Sequence, residues 1–100
     1  MMDSGTVLFR APTREEAVAK LLGALQGAKL EEYAPGAFLA DFSDAFFYSL
    51  VRAVVESMSE EGRYAASFQE GNRCRCALWP FPFRKAWRRM DRIKAELRGE

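Results

Sequence analysis

Apolar residues recur along the chain with two different periods, and the changes of period mark the elements. Thr6-Val7-Leu8-Phe9-Arg10 is short, apolar and β-branched at its start, which predicts a strand broken by Pro12. Thr13-Arg14-Glu15-Glu16 has the form of a capping box: the Thr13 hydroxyl accepts from the Glu16 amide and the Glu16 carboxylate reaches back. Val18, Leu21, Leu22, Leu25 and Ala28 follow three and four apart, one face of a helix, with Gly27 placed to end it in a left-handed conformation. Lys29 to Tyr33 alternates weakly and Gly36 to Phe42 is apolar. Ala34-Pro35-Gly36 lies between them, so two strands joined by a tight turn are expected.

Asp41 or Ser43 can cap a helix over residues 44–60. Phe47, Leu50, Val51, Val54 and Met58 form its apolar face, widened by Phe46 and Val55, with Ser49, Arg52, Glu56 and Glu60 opposite and Gly62 as its end. Arg63 to Glu70 and Arg73 to Trp79 flank Gly71-Asn72, a pair that predicts a hairpin with a two-residue turn. That register sets Glu70 opposite Arg73, Phe68 opposite Arg75 and Tyr64 opposite Trp79. Tyr64, Ala66, Phe68, Arg75, Ala77 and Trp79 then share one face, with Ala65, Ser67, Gln69, Cys74, Cys76 and Leu78 on the other. Pro80 and Pro82 end the sheet. A last helix runs to about Arg98 on an apolar stripe of Ala86, Met90, Ile93 and Leu97, extended by Phe83 and Trp87. The order βαββαββα predicts a single α+β domain over residues 1–100, an antiparallel sheet with helices packed on one face. Its first six elements follow the ferredoxin-like alternation, with the last strand and helix as additions.

Composition narrows the chemistry. The chain has 100 residues, 49% of them hydrophobic, enough for one modest core. It contains no histidine, which excludes Ser-His-Asp and Cys-His arrangements and imidazole metal ligands. Its two cysteines do not make a disulfide scaffold. Met1 to Gly5 lacks the basic region and apolar run of a signal peptide, and no apolar run is long enough to span a membrane, so a cytoplasmic protein without a membrane role is expected. There is no Gly-rich phosphate loop, no serine elbow and no paired-carboxylate constellation. Asp41 and Asp44 are explained by helix capping. The expectation is a non-enzymatic protein with no cofactor and no metal.

Charge changes the picture more than composition does. The formal net charge is +1, yet residues 1–72 carry six basic and eleven acidic residues, and residues 73–100 carry nine basic and three acidic. The total therefore conceals a body of −5 and a tail of +6. Arg84, Lys85, Arg88, Arg89 and Arg92 crowd two turns of the last helix, where like charges three or four apart repel by a few tenths of a kcal/mol per pair. Three readings fit this stripe: a solvated or internally neutralised helix face, a contact with a protein, and a contact with phosphate. Eleven arginines against four lysines do not decide among them, because codon bias alone produces such an excess.

Two further features bear on binding. Tyr64, Phe68 and Trp79 interleave with Arg73 and Arg75 on one face of the expected hairpin, which serves either as core or as a stacking platform for unpaired bases. Trp79-Pro80-Phe81-Pro82-Phe83 packs three large aromatics into five residues, either core or an interface patch. Cys74 and Cys76 point the same way along a strand, about 6.6 Å apart, near the upper limit for a disulfide; they are expected as packing thiols. Two functions follow. The first is a self-associating protein-interaction module, a dimer or a binder of another protein, using Trp79, Phe81, Phe83 and Trp87. The alternative is nucleic-acid binding through Arg73, Arg75, Arg84, Lys85, Arg88, Arg89 and Arg92, with Tyr64 and Phe68 stacking.

Overall fold

Among the described residues seven elements build a small α+β structure: a five-stranded antiparallel sheet and two helices. The computed structural model describes residues 2–43, 47–74 and 81–99. In chain order the elements are β1 (Met2–Arg10), α1 (Arg14–Ala24), β2 (Lys29–Ala34), β3 (Ala37–Asp41), β4 (Phe47–Ser57), β5 (Arg63–Cys74) and α2 (Phe81–Arg98). The sheet order is β1-β5-β4-β3-β2. Strands β2 to β5 form a meander, and β1 adds to its far edge against β5.

The local signals at the start of the chain act as expected. The Thr13 side chain accepts from the Glu16 amide at 3.2 Å and caps α1. The Leu25 amide closes that helix onto the Leu21 and Leu22 carbonyls. Gly36 turns β2 into β3 with φ +75°. An added Cβ there would lie 2.8 Å from Arg14 Nη2. Ala17, Leu21, Ala24 and Leu25 of α1 are buried, as are Ala86, Met90, Ile93 and Leu97 of α2. Both helices press these faces on one side of the sheet, against Val7 and Phe9, Phe38 and Ala40, Val51, Ala53 and Val55, and Tyr64, Ala66 and Phe68. Trp87 does not extend the apolar stripe of α2; it stands on the solvent side at 39% exposure.

The middle of the chain departs from expectation twice. The helix expected over residues 44–60 is a strand where it is described, so the order is βαββββα and the ferredoxin-like alternation does not hold. Burial along β4 alternates: Phe47, Ser49, Val51, Ala53 and Val55 face the helices. Two of those five are the small residues Ser49 and Ala53, which hides the period of two from a hydropathy reading. Leu50 and Val54 on the opposite face supply apolar positions at helical spacing by coincidence. Phe47, Tyr48 and three valines favour a strand, and β3 and β5 provide partners on both sides. Asp41 caps no helix; its carboxylate accepts from the Ser43 amide at 2.8 Å and stabilises the bend after β3.

Gly71-Asn72 is not a turn. β5 runs through it to Cys74, with Gly71 paired to Met2 on one side and Leu50 on the other. Positive φ occurs among the described residues at Gly27, Gly36, Gly62 and Gly99, and Gly71 is not one of them. A strand with partners along both edges satisfies its amides and carbonyls on each side, and that outweighs a local turn preference. The hairpin pairing of Glu70 with Arg73 is thereby replaced. Its proposed partners Arg75, Ala77 and Trp79 lie outside the described residues. The reversal comes instead at Met58 to Gly62, where Gly62 has φ +78° and the Met58 amide donates to the Arg63 carbonyl at 3.0 Å.

Candidate interaction site

The helix face of the sheet is closed, so a binding site has to be sought on three other surfaces. The first is the back of the sheet, which no described element covers. Leu8, Tyr48, Leu50 and Val54 lie there among Thr6, Arg52, Ser67 and Gln69, a mixed surface of the kind that one-sided antiparallel sheets present to water. Its two edges differ. β2 is short, fully exposed, charged at Lys29, Glu31 and Glu32, and irregular between Glu32 and Ala34, all features that discourage edge pairing.

The second surface is the outer side of α2. Arg84, Lys85, Arg88 and Arg92 are all exposed and fall three and four apart, so they form one stripe opposite the buried Ala86, Met90, Ile93 and Leu97. Trp87 stands beside that stripe. Among the described residues none of these four cations takes part in an ion pair; the pair formed there is Arg63–Glu60 at 3.0 Å.

Arg89 behaves differently from its neighbours. It is half-buried, its Nη1 donates to Ser49 Oγ at 3.1 Å, and its guanidinium lies 4.3 Å from the centre of the Phe42 ring. Ser49 Oγ donates onward to Asn72 Oδ1 at 2.7 Å, and Asn72 Nδ2 donates to Glu70 Oε1 at 2.8 Å. Ser43 Oγ takes the Ser49 amide at 3.0 Å. This chain of polar side chains runs beneath α2 where the sheet would otherwise be apolar, and Glu70, Ser49 and Asn72 are buried. It ties the N-terminal half of α2 to β4 and β5, and so sets the direction in which the basic stripe points. Sequence inspection does not find it, because Ser49, Glu70, Asn72 and Arg89 span 41 positions and meet only through strand pairing and the packing of α2 on the sheet.

The third surface is acidic. The Ala11 amide donates to the Gly62 carbonyl and the Val55 amide to the Gly36 carbonyl, which brings the start of α1 and the turns β2–β3 and β4–β5 to one end of the sheet. Glu15, Glu16, Glu32, Glu56, Glu60 and Glu61 are all exposed at or near that end. Arg89 anchors α2 to Ser49, six residues along β4 from Val55, roughly 20 Å away. The acidic and basic surfaces therefore lie toward opposite ends of the sheet. Among the described residues no ion pair joins them.

Of the residues singled out from sequence, Tyr64 and Phe68 are in the core, the first of the two roles open to them. Trp79 and Arg75 lie outside the described residues. Arg73, Cys74, Phe81 and Phe83 belong to β5 and α2 by their backbone, but their side chains lie outside the description, and so does Cys76. No three of His, Cys, Asp and Glu gather to hold a metal ion among the described residues, and none of the helices described is long and apolar enough to cross a membrane. No protein-family model matches this chain, and a search of curated proteins finds none similar to it.

Proposed function

We propose that this chain is a non-enzymatic, cytoplasmic binding domain that acts by self-association, its residues 1–100 forming one domain. The carrying observation is Trp87, 39% exposed beside a stripe of four cations that form no ion pair among the described residues. A large aromatic flanked by arginine is the residue pattern that concentrates binding energy at protein interfaces. The interface includes Trp87, with Trp79, Phe81 and Phe83 joining it from the adjoining segment. Sedimentation of the purified protein from low to high micromolar concentration tests this. A shift toward twice the chain mass of 11.3 kDa is expected. A strictly monomeric mass across that range, with no protein partner recovered by pull-down, overturns it.

Nucleic-acid binding is the second reading, favoured by the same unpaired stripe of Arg84, Lys85, Arg88 and Arg92. It loses its aromatic half where Tyr64 and Phe68 are concerned, since both are buried. It would rest on phosphate contacts alone, with the acidic end of the molecule opposing approach. Four phosphate contacts imply a slope of about −3.6 for log affinity against log salt on duplex DNA. Fluorescence anisotropy with labelled single- and double-stranded oligonucleotides at low salt measures this, and no binding there removes it.

A further inference from the structure

The start of α1 and the β2–β3 turn flank a shallow, open groove of about 700 Å³. Val18, the Tyr33 ring and Pro35 supply its apolar lining, and the exposed carboxylates of Glu15 and Glu32 flank them. Arg14 is the basic residue of the lining, and its guanidinium is turned to the Pro35 carbonyl at 3.4 Å. Arg52 lies over the Tyr33 ring at 5.8 Å from its centre, so a cation already stacks on that aromatic wall, and the two carboxylates at the rim are the part of the slot that complements arginines beside an exposed tryptophan. Trp87 has Arg84 one turn before it, Asp91 one turn after it, and Arg88 next to it in the chain.

We infer that Trp87 of one copy seats in this groove of a second copy, with Arg84 and Arg88 meeting Glu15 and Glu32. This rests on the self-association proposed above and names its surfaces. The two surfaces lie toward opposite ends of the sheet, so the contact is made between two copies. Two copies lying antiparallel make it twice, each basic end beside the other's acidic end. Both contacts then share one loss of rotational and translational freedom. That arrangement is isologous and stops at a dimer. The back of the sheet offers no such match, since a sheet-to-sheet dimer would trap Arg52 and Gln69 between its layers.

The test uses two charge-reversed full-length chains, one with Arg84→Glu and Arg88→Glu, the other with Glu15→Lys and Glu32→Lys. All four positions are exposed, and circular dichroism with thermal melting checks that each variant is folded. In analytical ultracentrifugation at low salt, each variant alone is expected to dissociate at least about tenfold more readily than the wild type. Mixing the two in equal amounts should restore the dimer, because one supplies the native stripe and the other the native groove. Trp87→Ala should weaken the dimer as strongly without changing any charge. A wild-type dimer that both reversals leave intact, or a mixture that stays monomeric, overturns the inference and leaves self-association standing through another face. A wild-type mass that keeps growing past the dimer overturns the reciprocal arrangement. A wild type that is monomeric throughout overturns the self-association as well.

Discussion

Asn72 is the connector of the buried polar chain, and replacing it by leucine is the sharpest probe of the fold. Its Nδ2 donates to Glu70 Oε1 at 2.8 Å and its Oδ1 accepts from Ser49 Oγ at 2.7 Å. Asn72→Leu removes both. Glu70 is 1% exposed, so water does not replace the lost donor without opening the sheet. A hydrogen bond to a charged group contributes about 1.5–3 kcal/mol, and a buried hydroxyl left without its acceptor costs about 1–3 kcal/mol. The added apolar surface of leucine returns roughly 1 kcal/mol. The net loss is therefore roughly 3 kcal/mol, which lowers the urea midpoint by about 2 M for an m-value of about 1.5 kcal/mol/M. The companion variant Asn72→Leu with Glu70→Leu removes both partners of their hydrogen bond together, and it should be more stable than the sum of the two single losses, because replacing both members of a buried pair by apolar groups costs less than removing one. Urea unfolding followed by circular dichroism measures all three variants. A single-variant loss under about 1 kcal/mol, or strict additivity in the double variant, refutes the reasoning.

The remaining predictions concern individual elements. Ile93→Ala empties a position that is 0% exposed between α2 and the sheet, and thermal or urea unfolding should report a loss of about 2–5 kcal/mol. Thr13→Ala deletes the cap of α1 and should cost about 1 kcal/mol in the same assay. Gly36→Ala forces φ +75° on a residue with a Cβ and sets that Cβ 2.8 Å from Arg14 Nη2, so a loss of at least about 1–2 kcal/mol is expected, with the melting temperature as readout.

The elements that could be read from sequence share a physical property: their signals are local. A capping threonine, an i, i+3, i+4 stripe and a proline-glycine turn act within one or two turns of chain, so β1, α1, the β2–β3 turn and α2 with its buried stripe Ala86, Met90, Ile93 and Leu97 follow directly from the residues that form them. The absence of histidine is equally independent of folding, and so is the opposition of charge between residues 1–72 and 73–100.

Tertiary structure decided everything that depends on which strand lies beside which. Residues 47–57 carry apolar positions at both periods, and the choice of strand comes from β3 and β5, which bond it along both edges. Gly71-Asn72 has the local chemistry of a turn, but β1 and β4 hold it extended, and Asn72 spends its side chain on Ser49 and Glu70 instead. The same pairing buried Glu70, drew Arg89 out of the basic stripe, and left Arg84, Lys85, Arg88 and Arg92 facing outward at the end opposite the glutamates. Sequence determined that the chain carries two opposed charges. Only the fold decided that they are held apart, because a sheet is assembled from partners distant along the chain and no local pattern records the distance between its ends.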